Sequence, residues 1–371
     1  MNFWSARKLF KAYPEAHYYV CFGKRSNGKT YGSLDYALER HQLTGKQFAY
    51  IRRWDMDIKS KQMSHLFDGI TKNGLVEKYS NGAWTFIEYK SGQFYRATYL
   101  EKENGSREKL VEDVPCGFAF ALNNMEHDKS ISYPNVDTII FDEFISRQGY
   151  LNDEFVIFQN VVSTIKRQRT DVRILLLGNT VNAYCPYFEE MGLKHIEKME
   201  PGTIDTYNYG EEEKPKVVVE YCSPTSASSK QSDAYFAFDN PKLQMITGGT
   251  WEINIYPHLP VKYAPKEVVF TFFINFNHQM LQCEVISSKI GPFIYIHRKT
   301  TPIKDEAHDL VYTPEASPRP NVRMCLTKDN SSIGKKIMLF FKNDKVFYQT
   351  NEVGEVVRNY IMWSDSHSIK N

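Results

Sequence analysis

At 371 residues the chain exceeds what one hydrophobic core usually organises, so two domains are expected, with room for a small module between them. Its 46 basic and 44 acidic residues leave a net charge of +2, which excludes a global field for nucleic acid and confines any such contact to local patches. A hydrophobic content of 42% excludes disorder, six cysteines without a C-x-x-C pair exclude a zinc ribbon or disulfide framework and fit a reducing cytoplasm, and the lack of a long uncharged apolar run or an N-terminal h-region predicts neither export nor a membrane partner.

Along the chain, short apolar runs alternate with amphipathic stretches. His17 to Phe22 reads as a strand, Thr30 to His41 as a helix with Tyr31, Leu34 and Leu38 on one face, and Phe48 to Ile51 as a second strand. Trp84 to Tyr89 and Phe94 to Leu100, broken by Ser91-Gly92, read as an inserted β-hairpin. Asp137 to Phe141 and Arg173 to Leu177 read as buried strands flanking a helix over Asp153 to Arg167, which is the rhythm of a parallel α/β sheet. After Cys222 that rhythm fades. Ser223 to Ser232 is turn-rich and reads as the start of a linker, and the acidic run Glu211 to Glu213 as a solvated loop. From Val268 the pattern changes to consecutive strands, Val268 to Phe276, Gln279 to Ile286 and Phe293 to Arg298, with turn signals at Asn277-His278 and Gly291-Pro292.

Gly23-Lys24-Arg25-Ser26-Asn27-Gly28-Lys29-Thr30 satisfies G-x-x-x-x-G-K-[ST] between a strand and a helix. Glycines let the backbone curl so that successive N–H groups face phosphate oxygens, and the following helix N-terminus adds partial positive charge. Lys29 then contacts the β and γ phosphates of ATP, and Thr30 gives its hydroxyl to Mg²⁺, a small hard cation that takes oxygen ligands.

Thr138-Ile139-Ile140-Phe141-Asp142-Glu143 is an apolar strand ending in two acids, which puts carboxylates at the sheet edge facing the phosphate loop. Asp142 is expected in the Mg²⁺ shell and Glu143 as the base that orients the attacking water, so the pair points to an ATPase and not to binding alone. A third strand ends at Asn179, an amide placed to sense the γ-phosphate. Transition-state charge calls for a guanidinium, for which Arg25, Arg167 and Arg169 are candidates. Lys59, Lys61 and Lys129 are candidates for non-specific DNA phosphate contacts.

Gly23 to Thr30, Tyr50-Ile51-Arg52-Arg53 and above all the segment from Ser132 to Ile145 resemble the encapsidation ATPases of Picovirinae-type small tailed phages, which are similar to terminase large subunits. The resemblance implies an α/β P-loop NTPase of the ASCE/RecA-like kind over 1–222, a linker over 223–260 and an α+β RNase H-like vestigial nuclease domain over 261–371. It further implies a homo-oligomeric, pentameric ring at the capsid portal that drives double-stranded DNA into a preformed shell, in some members on a structural packaging RNA, in the host cytoplasm and transiently on the procapsid. By the same resemblance Lys29 and Thr30 serve nucleotide and metal, Asp142 and Glu143 metal and water, Arg167 is the finger reaching a neighbouring subunit, and Arg25 is the arginine within the phosphate loop.

Two alternatives remain at this level. An active terminase would need convergent carboxylates for two metals, and the region after Val268 offers Glu284, then Asp305, Glu306 and Asp309 in a turn-like stretch, while Lys335 and Lys336 suit a contact role. The other is a nucleotide-controlled assembly protein in which ATP only orders a loop.

Overall fold

The structure, a computed structural model, describes residues 4–25, 27–124, 132–146, 149–180, 185–209, 216–223 and 256–366. Ser26, Lys129, Glu211 to Glu213 and, of the linker expected over 223–260, residues 224–255 lie outside the described residues. The chain divides into two compact units, residues 1–145, 155–183 and 187–252 in the first and residues 146–154, 184–186 and 253–371 in the second. Among the described residues no helix is long and apolar enough to cross a membrane. All six cysteines are buried free thiols.

The first unit begins with α1 (Ala6–Ala12), β1 (Tyr18–Gly23), α2 (Lys29–Thr44) and β2 (Gln47–Arg52). Short helices α3 (Ser60–Met63), α4 (Asp68–Lys72) and α5 (Leu75–Tyr79) precede β3 (Phe86–Lys90), β4 (Gln93–Glu101), β5 (Arg107–Val111) and β6 (Gly117–Ala121). Then come β7 (Val136–Asp142), α6 (Glu154–Lys166), β8 (Arg173–Asn179), α7 (Pro186–Glu190), β9 (Ile204–Tyr207) and β10 (Val217–Cys222). The strands share one sheet in the order β3-β4-β6-β2-β7-β8-β1-β10-β9, with β5 paired to β4.

From β6 to β10 that order is parallel throughout, and each strand is buried on both faces, as parallel sheets require. All seven residues of β7 are buried, including Asp137, whose charge is paired with Arg40 at 2.5 Å and accepts the Thr138 hydroxyl at 2.9 Å. Without that pairing its desolvation would oppose folding. The hairpin forms as read: Lys90 faces Gln93 across Ser91 and Gly92, both at positive φ (51° and 79°), the signature of a type I′ turn. It is joined to the main sheet through β4 and β6, and it carries an exposed third strand, β5, that periodicity does not reveal.

α2 runs longer than the pattern predicts. Gly28 at φ 85° starts it and Gly45 at φ 70° ends it, the latter donating its N–H to His41 at 2.8 Å in a left-handed cap. Its apolar stripe, with Leu34, Ala37 and Leu38, is buried on β1 and β2 side chains such as Tyr19 and Tyr50.

The second unit is α+β, as expected. β11 (Val268–Phe276), β12 (Gln279–Ser288) and β13 (Gly291–Arg298) form an antiparallel meander, with Asn277 and His278 at φ 49° and 60° in the first turn. The second turn lies at Lys289-Ile290, two residues earlier than the Gly291-Pro292 signal, because Gly291 and Pro292 already pair with β12. β14 (Leu310–Tyr312) and β15 (Val322–Arg323) continue the sheet in parallel beyond β11, α8 spans Ser332–Lys342, β16 (Val346–Tyr348) lies parallel to β13, and α9 spans Asn351–Ser366. Phe272, Ile274, Leu281, Cys283, Ile294 and Ile296 from the sheet pack with Val353, Val356 and Tyr360 of α9.

Candidate active site

β1 ends at Gly23, where an added β-carbon would lie 3.0 Å from the Cys222 carbonyl oxygen and 3.2 Å from Asn27 Nδ2, so only glycine lets the chain turn there without displacement. Gly28 then turns the chain, left-handed, into α2. The loop closes around Lys29, which is 5% exposed. Its ammonium donates to Asn27 Oδ1 at 2.9 Å, to the Lys24 carbonyl at 3.0 Å and to Asn179 Oδ1, at the end of the adjoining strand β8, at 3.4 Å. Burial pushes its pKa below the ordinary lysine value.

Thr30, one residue on, donates its hydroxyl to Asp142 Oδ2 at 2.9 Å, although 112 positions separate them. Asp142 also accepts the Tyr50 hydroxyl at 2.9 Å and, through Oδ1, the Glu143 N–H at 3.0 Å. Three donors therefore fix this carboxylate at the end of β7. Burial and the Asp142 charge together push the Tyr50 phenol well above its ordinary range, so it stays a donor.

Glu143 lies at φ 60°, an uncommon conformation for a residue with a β-carbon. Two arginines at the end of β2 account for its persistence. Arg53, 4% exposed, donates to the Glu143 carbonyl at 3.1 Å and the Phe144 carbonyl at 2.8 Å, and its guanidinium lies 5.8 Å from the centre of the Phe141 ring. Arg52 donates to the Glu143 carboxylate at 2.7 Å and lies 3.7 Å from Asp57. Arg53 thus holds the backbone and Arg52 the side chain.

β8 separates β1 from β7, and its last residue, Asn179, is in register with Gly23. The result is a cavity of about 240 Å³ lined by Arg25, Asn27, Gly28, Lys29, Thr30, Tyr31, Asp142, Glu143, Gly178 and Asn179. The donor set suits a nucleotide with a divalent cation: an ammonium, a buried amide nitrogen on Asn27 with no hydrogen-bond partner, and a hydroxyl beside a carboxylate as hard oxygen ligands.

Not every residue singled out in the sequence reaches this cavity. Arg167, at φ 50° after α6, lines a separate cavity with Tyr133 and Pro134, where β7 begins. The phosphate loop lies where the parallel strands end, roughly 20 Å away along β7. Within one chain, therefore, Arg167 is not part of the site. Arg169 donates one nitrogen to the carbonyls of Tyr133, Val136 and Ile165, which ties it to the chain as a strut and corrects its candidacy as a transition-state cation. Lys59 and Lys61 are exposed beyond β2. Tyr50, Arg52 and Arg53 stand out in the sequence as a strand end and part of the family resemblance, without an assigned role; their contacts with Asp142 and Glu143 follow from β2 lying beside β7.

In the second unit Glu284 accepts from Tyr263 at 2.5 Å and Gln282 at 2.6 Å, with His297 3.6 Å away. Asp305 holds His308, and Glu306 pairs with Arg319. Among the described residues no group of three or more His, Cys, Asp or Glu side chains is placed to hold a metal, so Glu284, Asp305, Glu306 and Asp309 do not form the convergent set a two-metal nuclease needs.

A parallel sheet whose phosphate-loop strand and acidic strand are separated by one further strand, with Thr30 on Asp142 and Glu143 beyond it, defines a P-loop NTPase fold of the ASCE kind. The chain belongs to the podovirus DNA encapsidation protein (Gp16) family, which matches its residues 4–199. It is 30% identical over 174 residues to the DNA packaging protein of Bacillus phage B103, covering 46% of each chain, and 29% identical over 169 residues to that of Bacillus phage phi29, covering 45% of this chain and 43% of that one. The matched part thus spans a little under half the length of these curated relatives. Among solved structures, the phi-28 gp11 DNA packaging motor superposes with a TM-score of 0.58 at 18% identity over 99% of both chains. The phi-29 viral genome packaging motor assembly superposes with a TM-score of 0.55 at 20% identity over 98% of this chain and 99% of that one. At these identities the likeness is one of fold.

Proposed function

We propose that the chain is the ATP-hydrolysing subunit of a motor that drives double-stranded DNA into a preformed capsid. The observation that carries this reading is the Thr30–Asp142 hydrogen bond, which brings the phosphate loop and the acidic strand to one point with Glu143 immediately after it. Family membership supports the DNA cargo, which the +2 net charge by itself does not announce.

In this reading Lys29, Asn27 and the loop N–H groups bind the phosphates of ATP, and Thr30 and Asp142 hold Mg²⁺. Bound Mg·ATP supplies the transferable phosphoryl group and a cation that neutralises its charge. Glu143 orients a water and takes its proton, Asn179 senses the γ-phosphate, and Arg25 reaches in from the exposed arm of the loop. Arg167, at the opposite sheet edge of its own chain, serves a neighbouring subunit's site.

Such a division of labour needs a closed ring, for which five subunits are the family expectation, seated at the capsid portal in the host cytoplasm and, in some members, on a packaging RNA. The C-terminal region, 261–371, is read as a vestigial nuclease that contacts these partners, with Lys335 and Lys336 exposed on α8. The separate engagement of Glu284 with Tyr263, of Asp305 with His308 and of Glu306 with Arg319 supports this over an active terminase. The test is DNA-stimulated ATP hydrolysis by the purified chain, together with incubation of plasmid DNA in Mg²⁺. Hydrolysis that rises with DNA and leaves the plasmid intact supports the motor; metal-dependent cutting supports the terminase, and slow turnover indifferent to DNA supports the assembly protein.

A further inference from the structure

The N-terminal segment reaches the phosphate loop through one residue. The Trp4 backbone N–H donates to the Asn27 carbonyl at 3.2 Å, and its indole Nε1 donates to Glu220 Oε2, on β10, at 2.7 Å. Its carbonyl oxygen lies where a β-carbon on Gly32 would be only 2.4 Å away, so α2 accepts the strap only because position 32 is glycine. Behind Trp4, Arg7 is held by Asp35, Glu39 and Tyr79, which fastens α1 along α2.

Asn27 is the other end of this chain of contacts. It is 1% exposed, its Oδ1 takes the Lys29 ammonium at 2.9 Å, and its Nδ2 is buried without a hydrogen-bond partner against the cavity. A side chain that both restrains the phosphate-binding lysine and offers a free donor is sensitive to small displacements of its backbone. That backbone is what Trp4 holds.

We infer that Trp4 is a positioning residue for nucleotide binding: it pins the Asn27 main chain against α2 and β10 so that the Asn27 amide and the Lys29 ammonium keep one geometry. None of the motif residues would reveal this, since Trp4 lies 19 positions before the loop begins at Gly23. The inference rests on the proposed nucleotide site.

The test uses the full chain, with ATP as ligand and steady-state hydrolysis as readout. Trp4→Phe, which keeps the ring and the backbone N–H but loses the indole donor, raises KM for ATP about five-fold with kcat within about two-fold, the scale of one net hydrogen bond. Gly32→Ala, which pushes the strap off α2 without touching Asn27 or Lys29, raises KM by about ten-fold. Glu220→Gln retains an acceptor for the indole and leaves KM near the wild-type value, whereas Glu220→Leu behaves like Trp4→Phe. A fall in thermal stability with KM unchanged in both Trp4→Phe and Gly32→Ala overturns the inference, as does a loss confined to kcat. Lys29→Ala separates the two levels: ATP binding undiminished in that variant overturns the site itself, whereas lost binding there with unchanged KM in the strap variants overturns only the role of Trp4.

Discussion

Arg52 at the end of β2 and Glu143 after the end of β7 form an ion pair at 2.7 Å, so the group read as the catalytic base is tethered by a cation from the neighbouring strand. The tether is local. Arg52 leads directly into Arg53, Trp54 and the exposed Lys59 and Lys61, so a ligand on that segment would act on Glu143 through Arg52 at its carboxylate and Arg53 at its main-chain carbonyl. Arg52→Ala frees the carboxylate; DNA-independent hydrolysis then rises about three- to ten-fold while stimulation by DNA flattens, and equal rates with and without the substitution contradict the tether.

The proposed Mg²⁺ shell depends on the Thr30 hydroxyl. Thr30→Ala lowers kcat/KM by about a hundred-fold and raises the Mg²⁺ concentration needed for half-maximal rate, while Thr30→Ser retains most activity. Tyr50→Phe removes one of the donors that fix Asp142 and costs about three- to ten-fold. A Mg²⁺ titration of the four proteins checks the order.

Arg167 gives a prediction about rings. If it serves the next subunit's site, Arg167→Ala and Glu143→Gln are each inactive alone, yet an equimolar mixture recovers about a quarter of wild-type hydrolysis, the share of interfaces that pair an intact Glu143 with an intact Arg167. A mixture as inactive as its parts contradicts action across subunits.

In the second unit His297, beside Glu284 at 3.6 Å, together with the Tyr263 and Gln282 donors, holds the Glu284 carboxyl at about 2, while Glu284 raises the His297 imidazole above its ordinary value. A depressed carboxyl contributes stability above its unfolded pKa that is lost as pH falls toward about 2; a raised imidazole contributes below its unfolded pKa, and that is lost as pH rises through the folded value. The difference in melting temperature between wild type and His297→Ala is therefore largest between roughly pH 5 and 6.5 and shrinks on both sides. A difference that does not vary with pH contradicts the pairing.

The parts of this site that were legible in the sequence are those that local chemistry dictates. Gly23, Gly28, Lys29 and Thr30 announce themselves because a phosphate loop needs its residues at fixed offsets, and Asp142 and Glu143 because an apolar run ends on them. Tyr50, Arg52 and Arg53 were not legible as site residues, since their meaning depends on β2 lying beside β7, a pairing across about 90 residues that no periodicity encodes. Arg167 shows the converse: the helix that precedes it was readable, but that it ends at the strand-start edge of the sheet is a fact of topology. β5 escaped because its residues are exposed on both faces and leave no alternation.

The most direct test of the account is hydrolysis by Glu143→Gln measured beside its nucleotide binding. The account predicts that ATP binds with wild-type affinity while DNA-stimulated turnover falls at least about a thousand-fold, because the loop and the metal ligands are intact and only the base is lost. Turnover within about ten-fold of wild type, with binding unchanged, would contradict it.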